Sequence, residues 1–323
     1  MIHPLPPGTR DVLPDEMREL RALSERLRAS FDAAGYGEVY TPSVEYEDTL
    51  RRGDERAARA GVYRLFDEQG RVLVMRSDTT LSIARLVATR YGGVRPPVRL
   101  CYFAHAYRTV ERGRGQAREF LQGGVELIGP EAPEGEAEVL SLVVGGLSEA
   151  GLRRHRVGLG DGSLVRELLA ELEVAPARRG DLLEHLSRRD LVALEMEAKA
   201  LGLSQAACEL LVTLPSLRGG PEVLDRAHGP VGRAVEGLRA LFELLAERGV
   251  ADRVILDLGL VRELGYYTGA VYEVYDPAVG YALGGGGRYD DLLGRFGTPL
   301  PACGLALDIG RVHAAQAAEE RLG

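Results

Sequence analysis

Tyr107-Arg108, a charged loop from Thr109 to Ala117, and then Arg118-Glu119-Phe120-Leu121-Gln122-Gly123-Gly124-Val125-Glu126 form the stretch on which the fold turns. The segments Val98 to Ala106 and Glu119 to Ile128 predict two antiparallel strands joined by that long loop. Side chains alternate between the faces of a strand, so Gln122 and Glu126 point the same way. Arg108 closes the first strand with a planar guanidinium able to bind a carboxylate through two parallel hydrogen bonds. An ordinary solvated hairpin is the other reading of the same residues.

Upstream, Met17, Leu20, Leu23, Leu27 and Phe31 recur every three or four residues and predict an amphipathic helix from Asp15 to Ala34, with Asp15 as N-cap and Gly35 as stop. Tyr40-Thr41-Pro42 follows. Val62 to Phe66 and Arg71 to Met75, separated by Asp67-Glu68-Gln69-Gly70, read as a β-hairpin, and a helix is expected from Thr80 to Thr89. Downstream, residues 163–250 change to leucine-rich helical segments punctuated by Gly180, Gly202, Pro215 and Gly219-Gly220-Pro221. Strand signals return at Val254 to Leu258, Ala270 to Tyr275 and Cys303 to Leu307, around the glycine run Gly284 to Gly287. The expected architecture is α+β: an antiparallel sheet flanked by helices, formed by residues 1–162 and 251–323 and split by a helical insertion at 163–250.

Composition narrows the function. The chain has 323 residues, 45% of them hydrophobic and 27% charged, which suits a protein with a buried core. A net charge of −8 disfavours general binding to nucleic-acid backbones. Lys199 is the only lysine, so Schiff-base catalysis and a Walker-type phosphate loop are disfavoured. Cys101, Cys208 and Cys303 form no CxxC pair and have no clustered histidines, which argues for a reducing compartment and against a structural metal site; no cofactor is expected. With neither a secretory signal nor a membrane-length apolar run, the protein is expected in the cytoplasm.

Four segments in order carry a family resemblance: Pro7-Gly8-Thr9-Arg10-Asp11-Val12-Leu13-Pro14; Met75-Arg76-Ser77-Asp78-Thr79-Thr80; Tyr107 to Glu126; and Leu260-Val261-Arg262-Glu263-Leu264-Gly265-Tyr266-Tyr267-Thr268-Gly269 with Gly284 to Asp290. Together they resemble the class II aminoacyl-tRNA synthetase-like core of histidyl-tRNA synthetase and of its paralogue, the regulatory subunit of ATP phosphoribosyltransferase. The resemblance implies a histidine pocket built from Asp78, Thr80, Arg108, Gln122, Glu126, Arg262, Tyr266, Tyr267 and Tyr289. Within it the ammonium would meet Asp78 and Thr80, the carboxylate Arg108 and Gln122, and the imidazole Glu126 and Tyr267. Asp78 with Thr79 and Thr80 also reads as a helix N-cap, a role compatible with binding.

The nucleotide side departs from a working synthetase. Arg311 is kept, but Asp308 and Gly310 stand where synthetases have Gly and Glu, Val110 and Gln116 interrupt the loop after Arg108, and Gly265 replaces an Asp after Arg262. A carboxylate at Asp308 would repel a triphosphate, so Gln116, Asp308 and Arg311 are read as a vestigial nucleotide side. The chain ends soon after Arg311, and no anticodon-binding domain or tRNA partner is expected. The resemblance thus implies a non-catalytic regulatory subunit, with L-histidine as effector. It would act as a self-dimer in a hetero-oligomer with a short catalytic subunit. The rival expectation is a truncated synthetase that forms histidyl-adenylate.

Overall fold

The computed structural model describes residues 5–55, 61–109, 117–227, 231–260 and 265–322. Helix α1 (Pro14–Ala33) begins on Pro14, whose missing N–H is harmless in a first turn. Leu13 is the N-cap and makes no side-chain bond; Asp15, expected in that role, lies one step inside, where its charge meets the positive end of the helix. Gly35, at φ +81°, ends it. Strands β1 (Gly37–Glu38) and β2 (Val44–Tyr46), helix α2 (Glu47–Gly53), the hairpin β3 (Arg64–Phe66) and β4 (Val72–Met75), and helix α3 (Thr80–Arg90) follow. The long pair β5 (Val98–Tyr107) and β6 (Glu119–Ile128) is antiparallel, Ala104 opposite Gln122 and Leu100 opposite Glu126.

Helix α4 (Glu134–Glu149) and strand β7 (Arg156–Asp161) lead into the leucine-rich region. That region holds α5 (Leu164–Glu171), α6 (Pro176–Ser187), α7 (Leu191–Ala200), α8 (Gln205–Thr213), β8 (Arg218–Gly219), α9 (Glu222–Asp225) and α10 (Gly232–Glu247). The chain then returns through β9 (Val254–Asp257), β10 (Ala270–Tyr275), β11 (Ala282–Arg288), β12 (Ala302–Asp308) and α11 (Ile309–Leu322). Leu168, Leu182, Leu194, Leu211 and Leu238 of the helical stretch share one core with Leu127, Leu159 and Val274 of the sheet, and β8 pairs with β9. The stretch is therefore packed onto the sheet rather than standing off it.

The nine-stranded sheet runs β1-β5-β6-β12-β11-β10-β7-β9-β8, and β2-β4-β3 form a small second sheet. Its central ladders are antiparallel as expected, but β1/β5 and β7/β9 are parallel, so the sheet is mixed. The parallel β7/β9 pair needs a long crossover, and the helical stretch supplies it. Strand alternation divides the sheet between two cores. Cys101, Val125, Leu127 and Tyr272 face α1, α4 and α11, while Leu100, Tyr102 and Val271 face the opposite side with Ile83, Tyr266, Tyr289 and Leu292. Glu126, between Val125 and Leu127, faces that second side.

Arg76 sets the entry to α3. It is 2% exposed, and its guanidinium donates to the carbonyls of Thr41 (2.7 Å), Pro42 (3.2 Å) and His105 (2.7 Å) and to Thr41 Oγ1 (2.9 Å). The Tyr40-Thr41-Pro42 segment is thereby fastened to β5, and the turn carrying Asp78 is held over the sheet. Among the described residues no helix is long and apolar enough to cross a membrane.

Candidate functional site

A cavity of about 250 Å³ opens on the Glu126 side of the sheet. Its floor is β11 and β12, where Gly284, Gly285, Gly286 and Gly304 contribute no side chains. The strands approach too closely for any: a Cβ on Gly286 would lie 1.9 Å from the Gly304 carbonyl oxygen, and one on Gly304 would lie 1.7 Å from Glu126 Oε2. Of the residues expected to bind a ligand, Asp78, Thr80, Arg108, Gln122, Tyr267 and Tyr289 line this space, and so do Asp308 and Arg311. Arg262 and Gln116, with Val110, lie outside the described residues.

Asp78 stands at one end, 7% exposed. Its Oδ2 accepts from the Tyr266 hydroxyl at 2.8 Å and its Oδ1 from the Thr80 backbone N–H at 3.0 Å. Thr79, not Asp78, is the N-cap of α3, and it makes no side-chain capping bond; Asp78, one step earlier, accepts from the first N–H of the helix while its carboxylate borders the cavity. Tyr266, expected to touch the ligand, instead lies beneath Asp78, 1% exposed, its ring tilted against that of Tyr267 with centroids 4.8 Å apart. One tyrosine thus holds the carboxylate while its neighbour lines the cavity.

Glu126 also lies beneath the wall. It is 1% exposed, and its oxygens accept from Thr80 Oγ1 (2.7 Å), the Tyr102 hydroxyl (3.4 Å) and the Tyr289 hydroxyl. Burial pushes its carboxyl up to about 8, against the pull of the Tyr289 and Thr80 hydrogen bonds and with a further push from the charge on Asp78. Thr80 and Tyr289 stand between this carboxyl and the cavity.

On the opposite wall the Oε1 of Gln122 accepts from Thr79 Oγ1 (2.8 Å) and from the Thr79 N–H (3.2 Å), which leaves the amide N–H groups for a ligand. Arg108 donates Nε to the Ser77 carbonyl (3.1 Å) and stacks 4.9 Å over Phe120, an arrangement that fixes the guanidinium while leaving its terminal nitrogens to the cavity edge.

The far end is neutralised from within. Asp308 Oδ1 accepts from the Arg311 N–H at 3.1 Å, capping α11, and its Oδ2 lies 3.3 Å from Arg311 Nε. Arg311 also donates to the Ala282 carbonyl at 2.8 Å. Burial raises the Asp308 carboxyl above its ordinary range, opposed by the hydrogen bond and charge of Arg311 and by the charge of Arg108.

Among the lining residues absent from the expected set are Thr109, Phe120 and Glu273. Glu273 is the single charged residue in β10, opposite Gly285, and that isolation in an apolar strand was the available signal. Among the described residues no group of three His, Cys, Asp or Glu side chains could hold a metal ion.

Comparison with known proteins agrees with the fold. A family model described as histidyl-tRNA synthetase matches residues 8–312. The ATP phosphoribosyltransferase regulatory subunit of Symbiobacterium thermophilum is 42% identical, over 97% of this chain and 79% of that protein. That of Desulforamulus reducens is 39% identical, over 95% of this chain and 78% of the relative. A solved ATP phosphoribosyltransferase regulatory subunit/histidyl-tRNA synthetase from Bacillus halodurans superposes with a TM-score of 0.89 at 32% identity, covering 98% of this chain and 84% of that one. The chain belongs to the family of ATP phosphoribosyltransferase regulatory subunits, built on the histidyl-tRNA synthetase fold.

Proposed function

We propose that this chain is the histidine sensor of the first step of histidine biosynthesis, in which a short catalytic subunit joins ATP to phosphoribosyl pyrophosphate. The observation that carries this reading is the asymmetry of the cavity. One end offers Asp78 to an ammonium and Arg108 with Gln122 to a carboxylate, with the ring directed at Tyr267 and at the hydroxyls that cover Glu126. At the other end Asp308 already occupies Arg311 and the first turn of α11, so a triphosphate would have to displace a carboxylate. The amino-acid half is open and the phosphate half is self-filled.

The chain then acts in the cytoplasm by binding, without tRNA and without chemistry of its own, as a self-dimer inside a hetero-oligomer. Its net charge of −8 fits that role, since it repels polyphosphate backbones. Histidine inhibits the partner if the complex has two states that differ in histidine affinity, with a coupling of about 1–3 kcal/mol.

Reconstitution tests this. Adding the chain to a short catalytic subunit is expected to switch phosphoribosyl transfer on, and L-histidine is then expected to reduce it, while histidine-dependent ATP–pyrophosphate exchange stays at background. Exchange above background would instead establish a synthetase-like enzyme.

A further inference from the structure

The cover over Glu126 carries an inference that rests on the histidine reading and deepens it. Among the described residues Glu126 does not itself line the cavity, whereas two hydroxyl residues bonded to it do. Thr80 and Tyr289 line the cavity and both donate to its carboxyl group, while Tyr102 donates from below. The charged and titratable groups facing it are Asp78 from the turn before α3, Tyr102 from β5, Tyr266 from the segment before β10, Tyr289 from the end of β11 and Cys303 from β12. No cation forms an ion pair with it among the described residues, and the charge that acts on it there is that of the Asp78 carboxylate.

A hydroxyl has one proton. When Glu126 is ionised, Thr80 and Tyr289 both spend that proton on it and turn only lone pairs to the cavity. When Glu126 is protonated, its own O–H donates to one of them, and that hydroxyl can then donate into the cavity. One proton therefore changes the ring end of the pocket from acceptor–acceptor to acceptor–donor. A neutral imidazole, with one N–H and one bare nitrogen, matches the second state; an imidazolium, with two N–H groups, matches the first.

We propose that Glu126 is a positioning residue which, through Thr80 and Tyr289, makes histidine binding proton-linked, the occupied site always holding one proton shared between carboxyl and ring. Below the ring's ordinary pKa of about 6.5, histidine and the site together bring one proton too many, and binding releases it. Above the Glu126 value of about 8 they bring one too few, and binding takes one up. Affinity is therefore greatest between these limits and declines by about tenfold per pH unit on either side.

The test is the affinity for L-histidine from pH 5.5 to 9.5, measured on the full chain and on Glu126→Gln. Glutamine keeps a donor group and an acceptor group at every pH, so the variant is expected to keep the acidic flank and lose the part of the alkaline decline that Glu126 causes. Titration of the ligand's own ammonium affects both proteins alike and cancels in the comparison. Calorimetry of both proteins in buffers of different ionisation heat gives an independent count: at pH 9 the wild-type chain is expected to take up about one proton more than Glu126→Gln, and at pH 7.3 about the same number. Wild-type affinity that parallels Glu126→Gln above pH 8, or equal proton uptake by the two proteins at pH 9, overturns the linkage while leaving histidine binding intact. No histidine binding to the wild-type chain at any pH overturns the reading of the site and the linkage with it.

Discussion

Glu136→Ala is expected to remove about 3–5 kcal/mol of folding stability. Glu136 projects from α4 and grips Arg288 of β11 through two hydrogen bonds, Nε to Oε1 at 2.6 Å and Nη2 to Oε2 at 2.5 Å, both side chains being only 2–3% exposed. Without the carboxylate, the guanidinium keeps Asp290 (2.9 Å) and the Pro130 carbonyl (3.2 Å), too little for a charge this deeply buried. The loss reaches the site because Arg288 directly precedes Tyr289 and its carbonyl accepts from the Thr268 N–H at 2.8 Å. Urea unfolding with an unchanged m value measures the effect. Replacing both partners with apolar residues, as in Glu136→Leu with Arg288→Met, is expected to destabilise much less, because no charge is stranded. A single variant that loses under 1 kcal/mol would show that the pair is hydrated.

Asp78→Ala is expected to weaken histidine binding by about 100-fold or more, as truncating one member of a buried, hydrogen-bonded charge pair does. The carboxylate is aimed before any ligand arrives, by Tyr266 at 2.8 Å and the Thr80 N–H at 3.0 Å, so little reorganisation offsets its contribution. Tyr266→Phe leaves the charge but frees its direction, and a loss of about tenfold is expected. Equilibrium titration of both variants, with melting curves to verify folding, separates the two roles. Equal affinity of Asp78→Ala and the wild-type chain would place the ammonium elsewhere.

Much of this was legible in the sequence where local pattern decides structure. The alternation of β5 and β6 placed both strands within about a residue and put Gln122 and Glu126 on one face. The apolar spacing of Leu23, Leu27 and Phe31 gave the buried stripe of α1. Helix α4 went unread although Leu140, Val143, Val144 and Leu147 recur at helical spacing and Glu134, Glu138, Ser141 and Ser148 mark a less buried face. In β7, Gly158 and Gly160 hid a strand that the parallel pairing with β9 stabilises from afar.

The site divided along the same line. Residue types and order marked which side chains gather, but not their depth. Nothing local distinguishes Tyr266 under Asp78 from Tyr267 on the wall. The burial of Glu126 depends on hydroxyls from α3, β5 and the end of β11, which only the fold brings together. Asp308 and Arg311, three residues apart, already carried an N-cap pattern, but the structure shows that the same contact occupies the arginine.

The most direct measurement is a structure of the chain with its catalytic partner, determined at the L-histidine concentration that half-inhibits the reconstituted pair. Histidine is expected in the cavity, its ammonium within hydrogen-bond distance of Asp78, its carboxylate on Arg108 and Gln122, and its ring against Tyr289. An empty cavity at that concentration, with histidine bound elsewhere on the complex, would contradict the assignment of this pocket as the sensor.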